Sequence, residues 1–518
     1  MSTAILTEIP LDEFRDAVGA AHVSTALADR ELCSGDVFFR EGMPLAAAVI
    51  RPGSSAEVAA VVRIAARLGI PVAPRGGGVS YTRGYVPSGP GTVILDLSRL
   101  DTILELNAED LFMTVGAGCT WQRAETAAAA SGLRPVIRGP ISGSHSTICG
   151  AVAQNAGPTA LAGVLALEVV TGDGSLLRTG TSARAAHPSP FFRHFGPDLA
   201  GLFMGDTGTL GIKTRCTLAL EPIPVGAAFA SVSFTGLATM TEVMTRIARS
   251  GIPCRMLGMD PVKNRSAGKV DLQEGLGTLM QVVRSSASIG SGLRQAAKIA
   301  RVGRSVLDTV PWSLHLTVEG HDQAAADAAL AALRPLWAEH GRDIAATVPV
   351  ALRAKPFSIR GIVGPQGERW VPVHGIFPLS MAQRVVQETE GFFARHAERL
   401  QAQGIEHSFI VMTGAGTWLI EPMFYWMDEL GPLHEKVLGD KFEKFRSIPP
   451  NPAARAVVDE LRGELAALFD SLGGVHSQLG KYYPFATQLD PATRETLLRL
   501  KQALDPRGIL NPGNLGWE

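Results

Sequence analysis

The spacing of apolar residues predicts a helix soon after position 54. Ser54 and Glu57 stand three residues apart, as in a capping box, and apolar residues follow at helical spacing: Val58, Val61, Val62, Ile64, Ala65 and Leu68. Gly69 is a helix-stop residue, and Ile70–Ala73 then has the composition of a short strand. The pattern therefore predicts a helix followed by a strand.

Short β-rich runs and helices alternate through the rest of the first half. The predicted strands are Thr92–Leu97, Ile103–Leu106 and Leu111–Val115, a helix is predicted near Trp121–Ala130, and Val164–Thr179 is predicted to form two strands around the turn Gly172–Ser175. This alternation predicts a mixed α+β fold and does not favour a doubly wound sheet.

The pattern of apolar residues changes after about Pro224. Longer stretches at helical spacing (Met240–Arg249, Asp322–His340, Ser380–Gln403) are interleaved with predicted strands at Trp312–Val318 and Ser408–Val411. We therefore predict an N-terminal segment over 1–39, a first domain over 40–225, a second over 226–465, and a C-terminal segment over 466–518 that returns to the first domain.

Composition excludes several classes of protein. Of 518 residues, 48 are Lys or Arg and 49 are Asp or Glu, so the formal net charge is −1 and no field favours nucleic acid. A hydrophobic content of 46% excludes a disordered chain. We expect no secretory signal, no membrane span and, because the five cysteines form no C-x-x-C pair, no disulfide framework or structural zinc. A reducing cytoplasm is the expected compartment.

A glycine-rich loop follows the predicted strand near residue 73. Pro74–Ser80 reads Pro-Arg-Gly-Gly-Gly-Val-Ser, and backbone N–H groups of consecutive glycines can turn toward an anion without a Cβ in the way. The loop is therefore a candidate phosphate cradle, and an ordinary glycine turn is the alternative. It lacks the Gly-Lys-Ser/Thr of a Walker loop and the G-x-G-x-x-G of a Rossmann helix.

Further motifs occur in a fixed order after this loop. They are Ser146–Gly157 (Ser-Thr-Ile-Cys-Gly…Asn-Ala-Gly), Gly163–Gly180, Gly205–Ile212 (Gly-Asp-Thr-Gly-Thr-Leu-Gly-Ile), and a closing Leu-Asp-Pro-Arg-Gly-Ile-Leu-Asn-Pro-Gly that contains Asn511. In this set the chain resembles the vanillyl-alcohol-oxidase superfamily, also called FAD-binding type 4 or PCMH-type flavoproteins. The resemblance covers roughly residues 40–225 and, less closely, the last fifty.

The resemblance implies an α+β fold with a PCMH-type FAD-binding domain and an α+β cap, or substrate, domain. It implies that the residues holding FAD are Pro74, Arg75, Gly76, Gly77, Gly78, Val79, Ser80, Tyr81, Pro140, Ser146, Thr147, Cys149, Gly150, Asn155, Gly157, Gly211, Ile212 and Asn511. We expect noncovalent FAD, because Gly76–Pro87 contains neither histidine nor cysteine. The resemblance places His145 and Cys149 close to the isoalloxazine, so a covalent link through one of them is the alternative.

Two clusters are candidates for the substrate side. Arg369–Pro378 resembles the family's cap strand, and His374 in its apolar sequence is a candidate acid/base, with a satisfied structural histidine as the alternative. The second cluster concentrates titratable groups over Gly474–Pro484: His476, Lys481, Tyr482 and Tyr483. The aromatic run after Glu421 is either pocket lining or core.

Two branches of the family differ at this second cluster. The D-lactate and D-2-hydroxyglutarate dehydrogenases carry a metal-holding Glu-His-Gly-x-Gly, and this chain has Val475 and Ser477 beside its His476, so we expect no metal. The phenol-oxidising branch carries Tyr-Arg-Thr-His-Leu, and here valine and histidine replace the tyrosine and arginine. Tyr81, Arg83, Lys481, Tyr482 or Tyr483 are alternative donors to a phenolate or alkoxide.

The sequence thus predicts an FAD-dependent oxidoreductase that takes hydride from an alcohol-type or benzylic/phenolic small molecule. The alternatives are a D-2-hydroxy-acid dehydrogenase and a noncatalytic flavin-binding protein. Oxygen or a redox carrier is the expected electron acceptor, and relatives with such caps suggest a homodimer.

Overall fold

The computed structural model describes residues 9–38, 42–156, 162–268, 310–357, 362–414 and 416–517. The helices are α1 Leu11–Val18, α2 Leu27–Ser34, α3 Ser55–Leu68, α4 Trp121–Ala129, α5 Ile148–Gln154, α6 Leu199–Leu202, α7 Leu237–Arg249, α8 Pro261–Gly268, α9 Gln323–Leu333, α10 Thr347–Ala354, α11 Ala382–Arg395, α12 Ala397–Ala402, α13 Pro432–Leu438, α14 Pro452–Ser471 and α15 Pro491–Leu504.

The strands alternate with these helices along the whole chain. They are β1 Val23–Ser24, β2 Ala48–Ile50, β3 Val72–Arg75, β4 Val93–Asp96, β5 Ile103–Asn107, β6 Phe112–Gly116, β7 Leu133–Pro135, β8 Val164–Val170, β9 Leu176–Arg178, β10 Ile212–Pro222, β11 Gly226–Phe234, β12 Arg255–Met259, β13 Trp312–Gly320, β14 Arg342–Ile344, β15 Arg369–Pro372, β16 Gly375–Pro378, β17 Glu406–Gly414 and β18 Thr417–Trp426. The mixed α+β class predicted from the sequence is confirmed.

The chain divides into two compact units. Unit 1 comprises Met1–Ile223, Gly431–Gly439 and Ser477–Glu518, and unit 2 comprises Pro224–Leu430 and Asp440–His476. Compared with the domain limits predicted above, this division assigns 431–439 to unit 1 and 466–476 to unit 2.

Unit 1 contains two sheets. A four-stranded sheet has the order β1-β2-β4-β3, in which β4 pairs in parallel with both β2 and β3. A six-stranded antiparallel sheet has the order β5-β6-β10-β8-β9, with β7 also paired to β10. The parallel pair β3/β4 matters for function, because the glycine-rich loop leaves the sheet at the carboxyl end of β3.

Unit 2 is built on one eight-stranded antiparallel sheet. Its order is β14-β11-β13-β12-β17-β18-β15, with β16 also paired to β18. Helices α7, α11 and α14 pack on one face, which presents large apolar side chains such as Trp418 and Phe424. The strand pairs Leu257↔Met412 and Ile410↔Glu421 place these four side chains on the opposite face, because side chains of paired residues point the same way.

Most local predictions hold, with shifted ends. The Ser54 hydroxyl accepts from Glu57 N at 3.1 Å and Gly69 ends α3 at φ +66°, as the capping pattern predicts. In a capping box the Glu57 side chain would also accept from Ser54 N. Here Glu57 Oε2 instead accepts from Gly53 N at 2.7 Å. The strand predicted at Ile70–Ala73 lies two residues later, at β3.

Two long helices predicted in the second half are wrong as single elements. The stretch 322–340 contains α9 followed by a 3₁₀ turn at Arg334–Leu336, because Pro335 has no N–H to continue the helix. The stretch 380–403 divides into α11 and α12 at His396, whose backbone departs from helical geometry. Long strand β10 and helices α14 and α15 were not predicted.

Candidate functional site

The glycine-rich loop after β3 packs directly on the segment that begins α5. A Cβ on Gly77 would overlap the carbonyl oxygen of His145, and one on Gly76 would overlap the hydroxyl of Thr147. Gly78 has φ +76°, and a Cβ there would overlap the guanidinium of Arg75. The loop therefore needs glycine at these positions for close backbone approach, as a ligand cradle does.

Beside this loop, two hydrogen-bond donors of Arg75 lack an acceptor among the described residues. Its side chain is 2% exposed, and Nε and Nη2 have no hydrogen-bond partner in the described part of the chain. The guanidinium stacks 5.3 Å from the ring centroid of Tyr85, whose hydroxyl lies 2.5 Å from Gly78 O. Unpaired buried N–H groups of a cation are costly, so an anionic ligand such as the diphosphate of FAD fits this cradle.

The segment Ser146–Asn155 supplies a short helix with specific caps. The hydroxyl of Thr147 accepts from Gly150 N at 3.2 Å, and Asn155 ends α5 in the left-handed region at φ +50°. Ser146, Cys149 and Ile148 are buried. The predicted residues of this segment thus hold its conformation against the loop, while Gly157 lies outside the described residues.

The loop Gly205–Ile212 is held by buried charges. Asp206 accepts from Gly208 N at 3.0 Å and forms an ion pair with Lys213, and both side chains are buried. Burial raises the pKa of Asp206 and lowers that of Lys213, although their mutual attraction opposes both shifts. The predicted residues Gly211 and Ile212 join this loop to β10.

The closing motif returns to the same place, as the sequence predicted. Asn511 Nδ2 donates to Gly84 O at 2.7 Å and Thr207 O at 2.6 Å, and its Oδ1 is buried with no partner among the described residues. Lys501 reinforces the return, because its Nζ donates to Thr209 O at 2.8 Å and pairs with Asp505. Unit 1 therefore brings the loop, Asn511 and Thr207 together.

Pro140 and His145 lie in the turn before α5. Pro140 O accepts from Gly143 N at 2.8 Å, and His145 Nδ1 lies 3.0 Å from the hydroxyl of Ser144. Burial, with a smaller contribution from Lys436, lowers the pKa of His145. Cys149 is a free, buried thiol.

Lys481, Tyr482 and Tyr483 belong to unit 1. Lys481 Nζ donates to Val86 O, and Lys481 N donates to Thr82 O at 2.9 Å, so this residue is tied to the chain that follows the glycine-rich loop. Burial, and then the charge of Arg83, lower the pKa of Lys481 to about 8. The rings of Tyr482 and Tyr483 meet edge to face at 5.0 Å between centroids.

His374 and His476 lie in unit 2 and contact each other. His476 Nδ1 lies 2.6 Å from His374 O, and its Nε2 lies 2.8 Å from Asp470 Oδ1. These two contacts fix the orientation of the His476 ring within unit 2.

The side chain of His374 reaches a carboxyl group that the sequence analysis did not single out as chemistry. Its Nε2 lies 4.0 Å from Glu421 Oε2, and Glu421 is 16% exposed on an otherwise apolar strand. Burial, then Arg462 and His476, lower the pKa of His374 to about 3, so its ring is neutral. Burial raises the pKa of Glu421 to about 7, and the charge of Lys263 opposes that shift.

Lys263 and Tyr425 extend this group along the sheet. Lys263 Nζ donates to Tyr425 Oη at 3.0 Å, and Asp260 accepts from Lys263 N at 2.7 Å. A lone carboxylate within the apolar stretch Thr417–Trp426 was a signal available in the sequence for Glu421. Nothing near Lys263 in the sequence marks it, because α8 and β18 are about 160 residues apart.

The described residues contain neither a cluster of metal ligands nor a helix suited to span a membrane. No group of three or more His, Cys, Asp or Glu in these ranges is arranged to hold a metal. No helix in the same ranges is long and apolar enough to cross a membrane.

Comparison with known protein families agrees with the geometry of unit 1. Residues 46–180 match the family described as "FAD binding domain", and residues 481–515 match "FAD linked oxidases, C-terminal domain". The first match contains the glycine-rich loop and α5, and the second contains Asn511. The chain therefore carries an FAD-binding domain and FAD is its cofactor, as predicted.

The relatives found by sequence and those found by structure carry the names of different enzymes. The chain is 30% identical over 251 residues to "Probable D-lactate dehydrogenase, mitochondrial" of Danio rerio, covering 47% of this chain and 48% of that protein. It is 34% identical over 226 residues to "D-2-hydroxyglutarate dehydrogenase" of Xanthomonas citri pv. viticola, covering 42% and 46%. The chain thus spans about half the length of these curated relatives.

Two solved structures match nearly the whole chain. The structure titled 4-ethylphenol oxidase from Gulosibacter chungangensis superposes with a TM-score of 0.73 at 19% identity, covering 98% of this chain and 96% of the other. That of p-cresol methylhydroxylase with substrate bound gives 0.72 at 18% identity, with the same coverage. At such identities the likeness concerns the fold, which is the predicted PCMH-type FAD-binding fold with an α+β second domain.

Proposed function

We propose that this chain is an FAD-dependent oxidoreductase of the vanillyl-alcohol-oxidase type. Its substrate is an alcohol-type or benzylic/phenolic small molecule whose hydroxyl-bearing or benzylic carbon loses a hydride. The proposal combines the FAD-binding domain with a proton acceptor in unit 2, and the observation that carries it is the state of Glu421.

Glu421 is suited to accept a proton near neutral pH. A general base works best when its pKa lies near the working pH, and the pKa of Glu421 is raised to about 7 by burial. Its neighbour His374 is neutral, so it places no competing positive charge beside the carboxyl group. In the proposed reaction Glu421 Oε2 takes the hydroxyl proton, and the carbon–oxygen bond becomes a carbonyl as hydride leaves the carbon.

The residues of unit 1 hold the cofactor in this proposal. Bound FAD supplies the two-electron acceptor for the hydride. The glycine-rich loop and the guanidinium of Arg75 neutralise the diphosphate, and the free Oδ1 of Asn511 accepts one further hydrogen bond. We propose noncovalent binding, since these groups hold an anion by hydrogen bonds and charge alone.

Anaerobic reduction of the holoprotein tests the proposal. Each candidate substrate is mixed with the protein, and the loss of visible flavin absorbance is followed in a single turnover. Glu421→Gln should slow reduction by about 10²- to 10⁴-fold at unchanged FAD content, because the amide cannot take a proton. Glu406→Gln, a change of the same kind on the neighbouring strand β17, is the control and should reduce at the wild-type rate. Equal rates in Glu421→Gln and wild type would exclude Glu421 as the base.

The second candidate is a D-2-hydroxy-acid dehydrogenase. It is favoured by the names of the curated relatives, which include D-lactate and D-2-hydroxyglutarate dehydrogenases. Bleaching by D-lactate but not by 4-hydroxybenzyl alcohol, with activity lost on chelation, would select it. If neither compound bleaches the flavin while dithionite does, a noncatalytic flavin-binding protein remains.

Other parts of the proposal rest on the sequence alone. They are the cytoplasmic compartment, the homodimer, the identity of the electron acceptor, and the roles of Lys481, Tyr482 and Tyr483 as hydrogen-bond donors to the substrate. His374→Ala should reduce the rate of flavin reduction far more than the FAD content, and His476→Ala should do the same through loss of positioning.

A further inference from the structure

Lys263 is fixed at the start of α8 by contacts of its own backbone. Asp260 Oδ1 accepts from Lys263 N at 2.7 Å and from the hydroxyl of Ser408 at 2.8 Å, so the start of the helix is attached to β17. This anchoring directs the lysine side chain onto the face of the sheet that carries Tyr425 and Glu421.

The ammonium group has few partners there. In the described part of the chain its Nζ contacts Tyr425 Oη at 3.0 Å and the thioether of Met423 at 3.8 Å, and it forms no ion pair. It lies 5.8 Å from the ring centroid of Trp370 and 5.6 Å from that of Tyr425. An ammonium has three hydrogens, so at least one is left for another acceptor.

Lys263 carries its positive charge at neutral pH. Burial lowers the pKa of Lys263, but Tyr425, Glu421 and Asp260 together raise it above its ordinary value. Burial raises the pKa of Asp260 to about 6 and that of Glu421 to about 7, and in the described part of the chain neither carboxyl group forms an ion pair with the ammonium. A carboxylate or phenolate oxygen that reached Lys263 would therefore meet a charged donor with a hydrogen available.

Tyr425 offers a second donor beside the ammonium. Its hydroxyl accepts from Lys263 and directs its own hydrogen to Met423 Sδ at 3.4 Å, a weak acceptor that an anionic oxygen readily replaces. Around this polar pair the same face presents partly buried apolar side chains: Leu257, Trp370 and Met412. The surroundings suit an apolar or aromatic body that carries one anionic oxygen group.

We propose that Lys263 and Tyr425 bind an anionic oxygen group of the substrate, a carboxylate or a phenolate, and so select hydroxylated substrates that carry one. This inference rests on the proposed function, in which Glu421 of the same strand takes the hydroxyl proton. Lys263 and Tyr425 are then the residues that determine specificity.

Calorimetric titration of the oxidised holoprotein with nonreducible probes tests the inference. Benzoate supplies a carboxylate, 4-cyanophenolate supplies a phenolate, and benzamide is the neutral match of benzoate. Lys263→Met should weaken binding of the anions about ten- to a hundredfold, the worth of a hydrogen bond to a charged group. Its effect on benzamide should be small, and Lys263→Arg should restore anion binding.

Tyr425→Phe gives a second, independent measurement. It removes one donor but keeps the ring, so anion binding should weaken by a smaller factor, about three- to tenfold. FAD content of every variant, measured by visible absorbance, shows whether the protein is folded. Which of the two anions loses more in Lys263→Met distinguishes a carboxylate from a phenolate site.

The outcomes separate this inference from the proposed function. Failure of both anions to bind the wild-type protein, or equal losses for benzoate and benzamide in Lys263→Met, would overturn the anion site. If the anions bind through Lys263 but no hydroxylated compound bleaches the flavin, the anion site stands and the proposed oxidation falls.

Discussion

The two units differ in the buried polar groups at their candidate sites. In unit 1 buried charges near the glycine-rich loop are paired, as Asp206 is with Lys213 and Lys501 with Asp505, and the buried atoms without a hydrogen-bond partner among the described residues include those of Arg75 and Asn511 at the proposed cofactor cradle. In unit 2 the polar groups of the sheet face are far from their ordinary pKa values, as Glu421 and His374 are. These features fit the proposal that unit 1 holds a charged ligand and that unit 2 exchanges protons with the substrate.

The largest expected effect is loss of the buried pair in unit 1. Lys213→Met should lower the free energy of unfolding by about 3 to 5 kcal/mol, because it leaves the Asp206 carboxyl buried without its partner. Denaturant titration of the protein measures it. The double variant Asp206→Asn/Lys213→Met should recover part of the loss; a double variant as unstable as the sum of the singles would show that pairing is not what stabilises this loop.

The next effect concerns the glycine-rich loop. Gly77→Ala should abolish FAD retention and cost about 1 to 3 kcal/mol, because the added Cβ overlaps His145 O. The ratio of flavin to protein absorbance reports it. Gly89→Ala is the matched control, since a Cβ there meets nothing within 4 Å. Full flavin content in Gly77→Ala would contradict the close approach of this loop to the segment before α5.

The stability of the sheet in unit 2 should depend on pH through one buried histidine. His315 of β13 lies between the hydroxyls of Ser231 and Ser313, at 2.8 and 2.9 Å, and burial lowers its pKa to about 3. A depressed folded-state pKa gives stability that is present above the unfolded value of about 6.5 and is lost as the pH falls toward 3. Because of this histidine, the free energy of unfolding should therefore fall by about 1.4 kcal/mol for each pH unit below about 6.5.

Hydrogen exchange resolved by peptide at pH 7.5 and pH 5 would measure this loss in β11 and β13. His315→Gln should flatten the pH dependence there and leave exchange in α3 of unit 1 unchanged. An equal pH dependence of β13 in both proteins would show that His315 is not the residue responsible.

The smallest expected effect is local. Ser54→Ala should lower the free energy of unfolding by about 1 kcal/mol through loss of the cap of α3, and Ser54→Asp should restore it. Thermal unfolding of the two variants measures the difference. A loss in Ser54→Ala that Ser54→Asp does not recover would mean that the hydroxyl acts through something other than the cap.

Sequence reasoning predicted more of the structure around the glycine-rich loop of unit 1 than of the polar groups on the sheet of unit 2. The glycine-rich loop, Thr147, Asn155 and Asn511 were recognisable because backbone geometry demands particular residue types at fixed spacing. In unit 2 the sequence indicated His374 and His476, but missed their neighbours Glu421 and Asp470, and Lys263 beyond them. Glu421 and Lys263 lie on a strand and a helix far apart in sequence, and no local pattern connects them.

The same contrast holds for secondary structure. Helix α3 was predicted from the Ser54 cap and Gly69, whereas α15 was missed although Asp490 caps it and Pro491 stands in its first turn. The stretch 322–340 was predicted to be helical from its spacing of apolar residues, and α9 ends at Leu333, just before the 3₁₀ turn that contains Pro335.

The sequence by itself determined the class of fold, the glycine-rich loop and FAD as cofactor, because each depends on residue type and order within short stretches. Only the tertiary structure decided which polar groups are buried together and which protonation state each one takes. A pKa depends on burial and on charges within a few ångströms, so the proposed roles of Glu421 and Lys263 depend on sheet register and could not be deduced from their positions along the chain.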